Sequence, residues 1–164
     1  MNTGIYLIKE GDRLVEMSEQ PYQSEAVLQE LLAKHPNILT GNLIDRSVPR
    51  RWLLISRELG LPDEENTADR WSVDHLFLDQ DGIPTIVEVK RSSDSRIRRE
   101  VVGQMLDYAA NAIRYWPIET IRSKFEAQLD AQGIDPDQTL SEFLGTDSDI
   151  EQFWQKVKTN LQAG

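Results

Sequence analysis

The chain of 164 residues has no cysteine, which excludes disulfides and thiolate metal sites. Histidine is nearly absent too. His35 and His75 are the only two, and neither has a partner at ligand spacing, so neither is read as a metal ligand. Long apolar runs are missing: nothing approaches the ~20 residues a membrane helix needs. Near the start, Ile5-Tyr6-Leu7-Ile8 is followed at once by Lys9, Glu10, Asp12 and Arg13, unlike a signal peptide. The expectation is a cytoplasmic protein with no membrane partner. Internal repeats and low-complexity tracts are also lacking.

Positive charge is scarce. Eighteen Lys and Arg face 28 Asp and Glu, a net charge of −10, which argues against indiscriminate binding to phosphate backbones. The excess is unevenly placed. From Glu119 onward there are nine acidic and four basic residues, about half of it, whereas Lys90 to Arg99 holds five cations and only Asp94 as an anion. A basic patch can therefore sit on an acidic protein. The plainer reading of each arginine there is a solvated loop and helix start. Hydrophobic content of 39% and charged content of 28% are ordinary for a globular chain, one long enough to bury roughly 70% of its unfolded surface.

What is present centres on residues 72–90. Two runs rich in β-branched and aliphatic residues flank Gln80-Asp81-Gly82, the composition of two strands joined by a tight turn. If those three residues form the loop, Asp79 pairs with Ile83, and counting back sets Asp74 opposite Glu88 on one face. Lys90 shares that face, while Val87 and Val89 point away. A loop of two residues would instead set Asp74 beside Val89 on the wrong side. Two facing carboxylates with a lysine beside them suit a divalent metal and phosphodiester chemistry. The competing reading makes Asp74 and Lys90 a strand-end ion pair and Glu88 an edge charge, which leaves Glu88 between two valines unexplained. His75 alternates to the opposite face, as packing or solvent-facing surface, and His35 is read as a capping or surface residue.

Around this hairpin, Ile5 to Lys9 and Arg13 to Met17 read as an N-terminal β-hairpin. Ser24 to His35 has the spacing of an amphipathic helix with Ser24 as N-cap, ended by Pro36. Glu25 in its first turn favours the helix dipole, or else reaches the metal site. Trp52 to Arg57 reads as a buried strand. A helix over about 95–115 carries Gln104, Tyr108 and Asn111 on one stripe, either solvated or turned toward the site. Helices follow over about 118–132, 140–144 and from 148 onward.

Asp74-x13-Glu88-Val89-Lys90, with Glu25 in Ser24-Glu25-Ala26-Val27-Leu28 and with Gln104-Met105-Leu106-Asp107-Tyr108, resembles the PD-(D/E)XK nuclease superfamily over about residues 22–116. Val73 stands where a proline often precedes the aspartate. The resemblance implies an α/β (α+β) restriction-endonuclease-like fold: a central mixed β-sheet flanked by helices, with an N-terminal β-hairpin and C-terminal helices. It implies a Mg²⁺- (or Mn²⁺-) dependent nuclease acting on nucleic acid, most simply DNA, in repair, recombination or defence. Asp74, Glu88, Lys90, Glu25 and Gln104 would be its catalytic residues, with Asp74, Glu88, Glu25 and the Val89 carbonyl on the metal. Arg91, Arg96, Arg98, Arg99 and Tyr108 would contact nucleic acid. The alternative is a non-catalytic nucleic-acid-binding or protein-interaction module on the same fold, and a homodimer is compatible with either. Residues 1–116 are expected to hold the hairpin and the nuclease-like core. Residues 117–164, similar to the continuation seen in longer bacterial proteins, are expected to be a helical extension packed on it, in a chain that is the N-terminal part of a longer one.

Overall fold

The computed structural model describes residues 4–18, 20, 22–61, 71–91, 100–110, 116–145 and 148–163. Two antiparallel sheets and a set of helices make a mixed α/β fold. The first sheet is the N-terminal hairpin, β1 (Ile5–Lys9) and β2 (Arg13–Met17), in register through Lys9↔Arg13. Gly11 and Asp12 take positive φ, 78° and 60°, at the turn. That conformation suits glycine and is tolerated by aspartate.

α1 (Glu25–Lys34) follows. Ser24 occupies the N-cap position with extended backbone, but its side chain makes no capping bond. Pro36 ends the helix as expected and opens a single 3-10 turn. The central sheet then forms in the order β3 (Trp52–Leu61), β4 (Trp71–Asp79), β5 (Pro84–Val87), and every described pairing in it is antiparallel. β3 runs four residues beyond the expected Arg57. A register shift between Leu54 and Ser56 and a positive φ of 49° at Glu58 interrupt it.

Four further helices lie among the described residues: α2 (Val102–Ala110), α3 (Ile118–Asp130), α4 (Pro136–Leu144) and α5 (Ile150–Ala163). α4 starts four residues before the expected Leu140. Asp135 caps it, accepting from the N–H groups of Asp137 (2.9 Å) and Gln138 (3.2 Å), and Pro136 supplies the preset first helical φ. One contiguous apolar core joins Leu53, Ile55, Leu76 and Leu78 of the sheet to Tyr108 of α2, Phe125 of α3, Leu140 of α4 and Phe153, Trp154 and Val157 of α5. Each such side chain contributes on the order of 1.5–3 kcal/mol on burial. The helices beyond residue 117 are thus part of the same core as the sheet, and they hold β4 and β5 in place.

Candidate functional site

The turn between β4 and β5 has the three-residue form. Gly82 N–H donates to the Asp79 carbonyl at 3.0 Å, and Asp79 N–H donates to the Ile83 carbonyl at 3.1 Å. Gly82 has φ 75°, where a side chain would be strained. The Asp79 carboxylate secures the loop further. Oδ1 accepts the N–H groups of Asp81 (2.9 Å) and Ile83 (2.8 Å), and Oδ2 accepts from Arg50 Nη1 at 3.0 Å. Arg50 also bonds the Asp81 carboxylate. Down the ladder, Leu78 pairs with Pro84, Phe77 with Thr85, Leu76 with Ile86 and His75 with Val87. One step further sets Asp74 opposite Glu88, as the odd loop demands.

The ladder stops at Val87, and Glu88-Val89-Lys90 continue outside it. Side chains take over where backbone pairing ends. Asp74 Oδ2 accepts the Val89 N–H at 2.7 Å, and Asp74 N–H lies 3.3 Å from Glu88 Oε2. Lys90 Nζ stands 2.7 Å from Glu88 Oε1 and 3.9 Å from Glu25 Oε2. Burial lowers the Lys90 pKa, but the hydrogen bond and charge of Glu88, with the charges of Asp74 and Glu25, outweigh it, and the net shift is upward. Lys90 is an ammonium throughout the neutral range.

Glu25 comes from the first turn of α1. Its Oε1 accepts the Arg91 N–H at 2.9 Å, while the Arg91 guanidinium donates to the Gln23 carbonyl at 2.9 Å. These bonds tie the start of α1 to the chain leaving β5, so helix position and Lys90 position are linked. Glu25 meets the cluster through Lys90. From α2, the Gln104 amide donates to the Tyr108 hydroxyl. Tyr108 is 2% exposed and belongs to the core, so its ring is not a surface on which a base can stack. Burial raises its pKa first, and the Glu88 and Asp107 charges add to that, against the Gln104 bond and Lys90. It is therefore a neutral phenol whose hydroxyl feels the Glu88–Lys90 pair.

Thus Asp74, Glu88, Val89, Lys90, Glu25 and Arg91 come together at one end of the sheet, with Gln104 and Tyr108 bonded to each other on α2. Arg96, Arg98 and Arg99 lie outside the described residues, as does Asn111 of the α2 stripe. His75, on the opposite face of β4, is fully buried rather than solvent-facing. Its Nε2 lies 2.8 Å from the Gln29 carbonyl of α1, and its ring stacks on Phe77 at 5.7 Å between centroids. A carbonyl only accepts, so Nε2 carries the hydrogen and buried Nδ1 is left bare, with no partner among the described residues. Burial accordingly lowers the His75 pKa, against the Gln29 bond.

Sequence reasoning overlooked Glu58. Between the pairs Arg57↔His75 and Leu59↔Val73 the count puts it level with Asp74 on the neighbouring strand, at a positive φ of 49°. The signal was a charged residue continuing an apolar strand.

Among the described residues no group of three or more Asp, Glu or His could hold a metal ion. The donor set at Asp74 and Glu88 fits a weaker demand. Mg²⁺ takes one or two carboxylates and keeps its waters. Each acid retains acceptor capacity beyond what it engages: Asp74 accepts the Val89 N–H, and Glu88 accepts the Lys90 ammonium and the Asp74 N–H, against about four lone-pair sites per carboxylate. No helix among the described residues is long and apolar enough to cross a membrane. No family model, no curated protein and no solved structure matches the chain.

Proposed function

We propose that the protein is a Mg²⁺- or Mn²⁺-dependent nuclease of the restriction-endonuclease-like type that hydrolyses phosphodiester bonds in DNA. The observation that carries this reading is the opposition of Asp74 and Glu88 one step beyond the last β4–β5 pair, where the Asp74 N–H lies 3.3 Å from Glu88 Oε2 and Lys90 Nζ 2.7 Å from Glu88 Oε1. A strand-end ion pair would need one acid and one base. Here two acids share one face beside a single lysine.

Asp74 and Glu88, with the Val89 carbonyl, are the residues that would hold the metal. Bound there, the ion supplies Lewis-acid polarisation of a phosphodiester oxygen and a more acidic water. The rest falls to the chain. Lys90 is held charged by three carboxylates, so it orients an attacking water and offsets negative charge developing on phosphorus oxygens, rather than removing a proton. Glu25 acts on Lys90 from α1, drawing its ammonium with a carboxylate 3.9 Å away. Gln104 and Tyr108 present a neutral hydroxyl and amide at the inner wall. Arg91, together with Arg96, Arg98 and Arg99 of the following segment, would meet backbone phosphates without reading bases.

A second reading draws on the engagement of Asp74 with the Val89 N–H and on there being no three-ligand group among the described residues: a non-catalytic module in which the acids serve as a strand-end clasp. One assay separates them. Purified protein is incubated with single-stranded, double-stranded and branched DNA in Mg²⁺, Mn²⁺ or EDTA, beside Asp74→Ala and Lys90→Ala. The nuclease reading expects metal-dependent cleavage lost in both variants. Equal behaviour of wild type and variants rejects it.

A further inference from the structure

The N-terminal hairpin poses a separate problem. Every residue of β1 is exposed, and so are four of the five in β2. Ile5 is 72%, Ile8 67% and Leu14 61% exposed, and Tyr6, Leu7 and Met17 are about half exposed. Both faces of the ribbon are apolar, since Ile5, Leu7, Val15 and Met17 share one side and Tyr6, Ile8 and Leu14 the other. A lone two-stranded hairpin is marginal in water, and three or more strands are needed for stability. Among the described residues the sheet has no third strand.

The two edges differ. β2 carries Arg13 and Glu16 within its five residues, whereas β1 is uncharged until Lys9 at its end. Charged side chains blunt an edge against further pairing, so β1 is the open one. A nucleic acid or anionic lipid would find no cationic surplus, because residues 5–17 hold Lys9 and Arg13 against Glu10, Asp12 and Glu16. A second copy of the chain fits. Antiparallel pairing of β1 with itself, centred on Leu7, sets Tyr6 against the partner's Ile8 and Leu7 against the partner's Leu7. Lys9 then lies opposite the partner's Ile5, with no like charges facing and no charge buried. The same operation on β2 would set Leu14 against the partner's Glu16. At such a seam Tyr6, Leu7 and Ile8, all exposed in the single copy, are the apolar side chains that gain cross-strand partners.

We propose that β1 pairs with β1 of a second copy across a twofold axis at Leu7, forming a four-stranded sheet that makes the protein a homodimer. This inference is independent of the nuclease reading.

The absence of cysteine makes the test direct, because Leu7→Cys introduces a single thiol. Twofold pairing at residue 7 places the two thiols opposite each other. Val15→Cys puts them on the outer strands, about 14 Å apart across three strand spacings. Sedimentation of the wild-type chain at tens to hundreds of micromolar should give a dimer. Mild oxidation should convert Leu7→Cys to a disulfide-linked dimer on a non-reducing gel and leave Val15→Cys monomeric. Tyr6→Lys with Ile8→Lys should weaken the dimer by more than tenfold with unchanged circular dichroism, since both side chains are exposed. A wild-type monomer at those concentrations overturns the proposal. So does a dimer that survives the double lysine change, or one that cross-links as readily through residue 15.

Discussion

At the scale of single residues, Lys90 and His75 illustrate opposite answers to burial. Lys90 stays charged because carboxylates surround it, so its favourable ion pairing is fully present below the ordinary lysine pKa of about 10.4 and is lost only as pH rises through its raised folded value. Under the nuclease reading, Lys90→Ala should lower kcat on the order of 10²–10³-fold while leaving the melting temperature within a few degrees. Single-turnover cleavage and a thermal melt on the same preparation would check it. His75 stays neutral because burial disfavours its charged form, and among the described residues Nδ1 has no hydrogen-bond partner. A base with a depressed folded pKa is protonated first in the unfolded chain, so stability is complete above about pH 6.5 and falls as pH drops below that. Urea unfolding at pH 7.5 and pH 5 should show this loss shrinking in His75→Phe, although that variant also forfeits the Gln29 bond. Asp79 makes a third case. It is 3% exposed and accepts two backbone N–H groups plus Arg50, so Asp79→Ala should cost roughly 2–4 kcal/mol. Asp79→Asn retains an oxygen for the turn and should cost less. Chemical denaturation of the pair would reveal whether turn geometry or charge dominates.

At the scale of elements, the hairpin of β4 and β5 was the most legible part of the sequence. The loop length fixes parity, Gly82 fixes the turn, and apolar positions fix the faces, so the opposition of Asp74 and Glu88 followed from local rules. What lay beyond local rules was how the strand ends. Glu88 to Lys90 leave the ladder and are retained by the Asp74 side chain, which no spacing announces. Tyr108 was similarly opaque. Its helical spacing from Gln104 was readable, but its membership in the core depends on where α3 and α5 pack. His75 was placed on the correct face, yet its burial depends on α1 crossing that face. For α4 the Asp135-Pro136 start was a local signal that apolar spacing alone overlooked. Gly82 also joins two elements. A Cβ there would stand 3.0 Å from Val157 Cγ2 and 3.1 Å from the Val157 nitrogen of α5, at a φ of +75°. Gly82→Ala should therefore destabilise by about 1–2 kcal/mol through backbone strain, with further loss from crowding against α5. Thermal unfolding should show it, with Gly133→Ala as a comparison at similar φ but with open space around it.

At the scale of the whole molecule, the boundary near residue 117 is one of sequence character rather than of packing. Phe153, Trp154 and Val157 share one core with Leu76 and Leu78. Trp154→Ala should cost roughly 3–5 kcal/mol. A chain ending at residue 116 should lack a cooperative thermal transition, a result that circular dichroism would register directly. The tip of the hairpin is fastened to the C-terminal helix as well: Asn160 Nδ2 donates to the Asp81 carbonyl at 3.1 Å. From Asp79 back to Asp74 the strand spans about 17 Å. β4 and β5 therefore act as a strut gripped at its far end, and a tilt of α5 would be delivered to the carboxylates as a sideways displacement. A ligand or antibody fragment that engages α5 would have leverage on the acid pair without approaching it.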